Sequence, residues 1–530
     1  GNGKGIYKFE NTAKIFLNDE LDNGMSWHGE LNIVRDTKAI DDYQGHDSYT
    51  QQDWLRELYV DTTAGDWDLR LGKQQVVWGT ADGMKLLDMI NPTDWREMNQ
   101  NAPADSRIPV WMVNAENYLD NGANLQVIFS QAKPSVIAGI HDVDEGVRTA
   151  STNNAGARNA PFVMKGVDTI SGTVNGFLNI APDMGAFAGA FGAAFQAQPV
   201  VFTNLINAAA GTANPNNATV EDLFTDANVA NALAGFLVYD TNLAGADAYN
   251  SSNPNNMFEY MSRATVGTIS GLANITSEYR KKDVDTLDGN FALRYKNTTD
   301  SGVNWSANYA YRYDPNPVVS VHWENNAGAT VNPTYAALAE GSYTVSATGA
   351  TKIVFEETQE RIHTIGGAMD MAIDTKSLGP VVIRGEATYD KGVMTPTIDR
   401  SKLSYGDLVG ALQNEENDFF KYVLGADVTV ATDLLVSGQF IQMRNLDYID
   451  TNTNSHTGEA CGAAVNCGRY TGDQSAMHLS NGLQKAEKNK EFYSIFLSKP
   501  FGDSGEGRWN NIFIYEEGGG KWNRFDVEYG

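Results

Sequence analysis

Apolar and polar side chains alternate with period two through almost every regular stretch of the chain. Trp27, Leu31 and Ile33 interleave with His28, Glu30 and Asn32, and Trp67, Leu69 and Leu71 interleave with Asp68 and Arg70. Leu125, Val127 and Phe129 alternate with Asn124, Gln126 and Ser130, and Phe291, Leu293 and Tyr295 with Asn290, Arg294 and Lys296. The pattern recurs at Val303–Arg312, Val381–Asp390 and Arg524–Tyr529. A strand presents one face per parity, so each segment predicts a strand that is apolar on one side and polar or charged on the other. The segments run about ten residues, the length that crosses a bilayer at a ~45° tilt. Strands of soluble sandwiches are nearer five or six residues. Tyr and Trp gather near segment ends (Tyr7, Trp27, Trp67, Tyr118, Tyr313, Tyr389, Tyr422, Trp509, Tyr529), as the interfacial girdles of a membrane barrel require.

The connections alternate between short and long. Short turns fall at Asp19–Gly24, Thr62–Asp66, Asp120–Ala123, Asn297–Gly302, Asp374–Gly379, Ala431–Asp433 and Gly502–Gly507. Long ones cover roughly 36–49, 75–107, 131–286, 314–352, 391–417 and 447–483, with a brief Glu516–Gly520. This gives one all-β unit over 1–530, a transmembrane antiparallel β-barrel with about fifteen visible strands. Bacterial barrels close with even numbers and carry short periplasmic turns and long extracellular loops. Parity therefore predicts a sixteenth strand ahead of Gly1.

Composition fits this picture. Sixty-six acidic against thirty-nine basic residues leave a net charge of −27, which argues against a nucleic-acid binder. Mean hydropathy is −0.36, which excludes a polytopic helical membrane protein but not a barrel whose strands are apolar on one face only. Gly is frequent at 51 residues and Pro is scarce at 15, so the chain is no disordered Pro/Gly linker.

Residues 161–260 break the alternation. They are rich in Ala, Gly, Phe and Asn, and Phe187, Phe191 and Phe195 recur every four residues on one helical face, followed by Phe202. Val220–Val238 repeats the theme, with Thr219 as a cap. The expectation is a helical insert within the 131–286 connection, at the barrel mouth or in its lumen. The 75–107 connection, with Trp78, Met84 and Trp95, is expected to be directed at the lumen or mouth. Together these aromatic and apolar residues define an expected path for an apolar solute, because apolar patches usually mark binding sites. The alternative is that they form only the insert's own core.

Charges predicted to face the lumen carry both signs: Arg70, Arg294, Arg312 and Arg384 against Asp68, Glu116 and Glu386. They read either as a transverse field across a constriction or as salt bridges that hold the barrel's shape. Cys461 and Cys467, with five residues between them in the 447–483 loop, are expected to form a small disulfide ring in an oxidising compartment. The seven His are scattered, and no nucleophile motif, phosphate loop or metal-ligand spacing stands out. Asp450-x-Asn452-x-Asn454 and Asp283-x-Asp285-x-x-Asp288-Gly289 lack the full spacing of a calcium loop. No enzyme, metal or cofactor is expected.

The most distinctive passage runs from Leu69 to Glu97: Leu71-Gly72-Lys73-Gln74, Trp78-Gly79, Asp82-Gly83, Asp88 and Asn91-Pro92-Thr93-Asp94. It resembles the outer-membrane proteins grouped as domain-of-unknown-function family 1302, tightly over roughly 60–115 and more loosely over 287–313. The resemblance implies a barrel of about this length in the outer membrane of a Gram-negative bacterium. It further implies movement of hydrophobic compounds beside envelope efflux or transport components. The expected function is a channel or transporter for hydrophobic or amphipathic small molecules. The alternatives are a general or ion-selective porin, and a structural or assembly partner in an envelope complex. Expected partners are outer-membrane lipid and a hydrophobic small molecule, with no nucleic acid.

Overall fold

The computed structural model describes residues 10–21, 24–36, 53–81, 83–95, 101, 103–137, 146–149, 199–209, 211, 214–219, 221–222, 261–272, 275–285, 288–337, 343–462, 467–473, 485–502 and 504–529. Among the described residues seventeen strands share one sheet, and two short ones, Asp450–Thr451 and Arg469–Thr471, belong to a loop. The remaining fifteen form an antiparallel meander: β1 (Glu10–Glu20), β2 (Ser26–Asp36), β3 (Leu55–Ala64), β4 (Trp67–Gln74), β5 (Val110–Tyr118), β6 (Asn124–Gln131), β7 (Gly289–Thr298), β8 (Asn304–Tyr313), β9 (Arg361–Thr375), β10 (Gly379–Asp399), β11 (Leu412–Val430), β12 (Leu434–Asn445), β13 (Asn489–Phe501), β14 (Gly507–Glu516) and β15 (Lys521–Tyr529). Each strand pairs with the next, through every link from β1–β2 to β14–β15. Among the described residues the sheet is not closed, because β1 and β15 are not paired with each other.

Parity sorts the side chains as the alternation predicts. One outward row runs across six strands through the partners Val60, Leu71, Val113, Phe129, Phe291 and Tyr311. Further outward positions, among them Ile33, Ile365, Leu424, Ile495, Phe513, Phe525 and Val527, are exposed large apolar groups. Among the described residues, no helix is long and apolar enough to cross a membrane. An exposed apolar band this extensive is what a membrane barrel offers to lipid. Rings in contact mark the short-turn end, at Tyr295–Trp305, Trp509–Phe525 and Phe501–Tyr529.

The long-loop end departs from the expectation in two places. The 391–417 connection is not a loop. β10 and β11 continue as a paired ribbon to Ile398 and Leu412, and the tip holds two short helices, Arg400–Ser404 and Leu408–Ala411. Asp399 and Asp407 cap these helices through the N–H groups of Lys402 and Gly410. The 131–286 connection, and the one expected at 314–352 that in fact runs on to Glu360, contribute strands to a second, five-stranded sheet in the order Thr330–Val331, Val318–Glu324, Lys352–Thr358, Thr276–Lys281, Gly146–Thr149. Local alternation does not reveal it, because its central pair, Thr276–Lys281 with Lys352–Thr358, is parallel and distant in sequence. A compact ionic cluster binds this sheet: Arg280 donates to Glu324 at 2.5 and 2.7 Å and to Glu278 at 2.6 Å, and Lys352 reaches Glu278 at 2.8 Å.

Phe187, Phe191 and Phe195 lie outside the described residues, so the expected helical face is not on view. Phe202 belongs to the helix Pro199–Ala209, and nothing is described of its side chain. Thr219 does cap: its Oγ1 accepts from the Asp222 N–H at 3.1 Å while Asp222 Oδ2 accepts from the Thr219 N–H at 3.0 Å, a reciprocal capping box.

Cys461 and Cys467 are bonded to each other, with Cα atoms 5.7 Å apart. Gly468, next to Cys467, rests on the β10–β11 tip, where the Arg400 N–H donates to Gly468 O at 2.9 Å and the Gly468 N–H to Ser401 Oγ at 3.2 Å. Closing so short a ring removes about 2 kcal/mol of unfolded-chain entropy in the loop-closure model. Replacing both cysteines by serine is expected to loosen the loop over the tip while the meander stays intact. Limited proteolysis should then cut near 461–467 in the variant and not in the oxidised parent.

Candidate functional site

The passage singled out in the sequence builds a loop that leaves β4 and turns into the space enclosed by the sheet. Its own residues fix its shape. Asn91 ties the two ends together: its amide donates to Gln74 O at 3.2 Å and Ile108 O at 3.0 Å, and its Oδ1 accepts from the Val76 N–H at 2.8 Å. Lys73 anchors the root by donating to Asp53 at 2.6 Å. Beyond Asn91, the Val136 N–H donates to Thr93 O at 3.0 Å and pins the loop to the segment after β6.

The loop touches strands all round the sheet. Val76, Trp78, Leu87, Met89 and Ile90 pack on Val110 and Met112 of β5, Ile128 of β6, Ala292 of β7 and Ala310 of β8. Leu86 packs on Val423 of β11 and Ile441 of β12, with Met84, Ala81, Met443 and Phe492 beside it. Arg56 of β3 donates to Ala104 O at 2.6 Å and Arg107 O at 3.0 Å. Lys14 of β1 pairs with Asp105, and Arg524 of β15 donates to Asn101 O at 2.9 Å. A single loop that reaches both edge strands and the strands between them requires the sheet to be rolled around it.

Two lumen charges hold the loop from the opposite wall. Glu386, 4% exposed, accepts from the N–H groups of Thr80 and of Ala81, the latter at 2.7 Å, and from that of Leu87 at 3.4 Å. Arg384 donates to Thr80 O and also pairs with Asp427 at 3.0 Å. Gly79 explains the Trp-Gly step. Its φ is +87°, and a Cβ there would stand 2.7–3.0 Å from the Glu386 carboxyl atoms. Trp78 is 1% exposed, donates its ring N–H to Gln126 at 2.8 Å, and lies under the Arg294 guanidinium at 5.4 Å.

Between the loop and β13–β15 remains a cavity of about 410 Å³. Its apolar lining includes Trp78, Trp95, Met84, Leu86, Phe496 and Trp522, and its charged lining Lys85, Asp88, Arg107, Glu386, Arg524 and Asp526. Most of these charges are paired: Arg107 with Asp88 at 2.7 Å and Arg524 with Asp526 at 2.9 Å. Lys85 donates instead to the hydroxyls of Thr93 at 3.0 Å and Ser106 at 3.4 Å. Burial brings its ammonium down to about 8, against the pull of Asp88, while Arg107 pushes the same way as burial.

Trp78, Met84 and Trp95 thus come together at one cavity. The remaining lumen charges form wall contacts. Arg70 is bidentate to Asp61 at 2.7 and 3.0 Å, Arg312 stands 4.0 Å from Asp390, and Glu116 accepts from Asn124 at 3.1 Å and Gln126 at 3.0 Å. Asp68 lies opposite Glu116 and is exposed. The Asp-rich runs hold lysines: Lys281 pairs with Asp283 at 3.1 Å, and Lys485 with Asp450. Sequence reasoning missed Lys85, Arg107, Phe496, Trp522 and the anchoring role of Arg384 and Glu386. The available signal was the loss of alternation at Val110-Trp111-Met112-Val113 and Val127-Ile128-Phe129, where lumen positions are apolar.

Residues 3–484 match the family model "Protein of unknown function (DUF1302)". No curated protein matches the chain. Among solved structures, the outer membrane channel DcaP of Acinetobacter baumannii is similar at 8% identity and a TM-score of 0.34, over 98% of this chain and 84% of that one. OccK8 (OprE) of Pseudomonas aeruginosa gives 7% identity and 0.34, over 98% and 82%. OpdQ of the same organism gives 8% and 0.28, over 98% and 90%. Likeness at this level assigns no activity.

Proposed function

The chain belongs to the DUF1302 family of proteins of unknown function, and from that premise we propose that it is an outer-membrane channel for small amphipathic or hydrophobic molecules, gated by the loop at 75–107. The observation that carries this reading is the apolar packing of the loop inside the rolled sheet. A water-filled diffusion pore has a polar interior, whereas here Val110, Met112, Ile128, Val423 and Ile441 point inward and are covered by loop side chains. The remaining cavity has the size of a small-molecule site and the usual mix of apolar walls with a few polar groups. The indoles of Trp95 and Trp522 with Phe496 would take an apolar body, and Lys85 would meet a polar or anionic end. The outward apolar band supports residence in lipid, and a Gram-negative outer membrane is where such barrels reside. Coupling to efflux or transport components of the envelope is part of the same proposal.

Purified protein in a planar bilayer should give a small unitary conductance, with liposomes admitting apolar aromatic solutes faster than sugars of equal size. Because Lys85 loses its charge around pH 8, cation selectivity should rise between pH 7 and 9, and Lys85→Met should abolish that rise. A large, steady, open conductance with no preference for apolar solutes would replace this reading with a general porin. The paired charges of the lumen wall are what favour that second reading.

A further inference from the structure

The lumen face of β2 and β3 carries a cluster unrelated to the cavity. His28, Glu30 and Glu57 each place a ligand atom so that all three lie within 4.8 Å of one another. Glu30 and Glu57 are direct cross-strand partners, and like charges in that position destabilise a sheet unless compensated. Arg56 supplies one positive charge at 3.8 Å from Glu30. The nearby Arg70 is already bidentate to Asp61 at 2.7 and 3.0 Å.

The histidine's geometry adds an independent argument. Its Nδ1 lies 2.6 Å from Asn18 Oδ1, an acceptor, so Nδ1 carries the proton and donates. In the neutral ring this leaves the Nε2 lone pair facing Glu57 Oε2 at 3.9 Å, too far for a hydrogen bond. Two acceptors facing each other across such a gap are arranged as ligands of one cation are. Ligands of a tetrahedral ion at ~2.1 Å stand about 3.4 Å apart, so the His28–Glu57 pair at 3.9 Å needs about half an ångström of closure, and no pair within the 4.8 Å cluster needs more than about 1.4 Å, shared between two side chains. The outer contacts match those of a metal site, where a histidine's second nitrogen and the ligating carboxylates are oriented by hydrogen bonds. Asn18 orients His28, and Gln75 Nε2 donates to Glu57 Oε1 at 2.8 Å, leaving Oε2 toward the ring. Tyr59 stacks on the imidazole at 4.9 Å and fixes its plane.

We propose that His28, Glu30 and Glu57 bind a divalent transition-metal ion of the zinc class at the lumen wall, with solvent completing its coordination. One imidazole with two carboxylates suits zinc, cobalt or manganese better than calcium or magnesium, which take oxygen donors. Gln75, the residue where the chain leaves β4 for the inward loop, is the positioning residue.

The test is calorimetric titration of the metal-stripped, detergent-solubilised chain with zinc chloride, and with cobalt chloride read by its visible spectrum. One ion per chain is expected, with a cobalt spectrum showing nitrogen and oxygen ligation. His28→Ala or Glu57→Gln should weaken binding by more than a hundredfold. Gln75→Ala keeps all three ligands and should weaken it about ten- to a hundredfold, whereas Asp68→Asn on the neighbouring strand should leave it unchanged. Heat-modifiable electrophoretic mobility identifies variants that have kept the barrel. No stoichiometric binding by the parent chain, or equal binding by folded His28→Ala, overturns the proposal.

Discussion

Replacing Glu386 by alanine should release the inward loop and raise the unitary conductance several-fold. The carboxylate is buried and gathers the backbone N–H groups of Thr80, Ala81 and Leu87 at a single point on β10. Each hydrogen bond to a charged group contributes about 1.5–3 kcal/mol, and donors left without an acceptor carry a desolvation cost of similar size. Arg384 keeps its own anion in that variant, since Asp427 holds it at 3.0 Å. Sugar uptake into liposomes should increase with conductance, and the preference for apolar solutes should fall. Glu386→Gln is the milder variant. It keeps one acceptor oxygen but loses the charge, so an intermediate conductance is expected. Unchanged single-channel currents in both variants would show that the loop is held without this anchor.

Trp78→Ala should have the second large effect. The indole is fully packed between β5, β6 and β7, and removing a buried Trp costs about 3–5 kcal/mol. The loss falls on the loop and not on the strand ladders, so the barrel should persist while residues 76–95 gain hydrogen exchange. Trp78→Phe retains most of the apolar contact but removes the N–H bond to Gln126 and leaves that buried amide oxygen without its donor, a cost of about 1–3 kcal/mol. If the ring serves packing alone, Trp78→Phe should transport apolar solutes as the parent does. A strong transport defect in Trp78→Phe with normal exchange would instead assign the indole to substrate contact.

The strands were legible because a barrel wall obeys a local rule. Lipid on one side and lumen on the other impose period two, and each short turn carries its own signals. Gly302 at +81° and Gly379 at +73° sit in turns that a glycine allows, and both lie where turn composition places them. The disulfide was legible for a similar reason, since two cysteines with only five residues between them close a ring with little help from the rest of the chain. The Trp78-Gly79 and Asn91-Pro92 steps also stood out, but as a pattern without a cause.

Only the tertiary structure supplied the causes. Gly79 matters because Glu386, over three hundred residues away, occupies the space where its Cβ would be. Nothing near Gly79 in sequence carries that information. The same holds for the cavity, whose walls come from the loop at 75–107 and from strands near the other end of the chain. The ribbon of β10 and β11 read as a loop because beyond the membrane its faces meet other loops, so no bilayer enforces alternation there. The second sheet escaped because parallel pairing between distant segments leaves no local trace. The sequence by itself determined the wall, since each strand answers to the two solvents beside it. The tertiary structure decided what fills the wall, since that depends on which distant side chains the rolled sheet brings face to face.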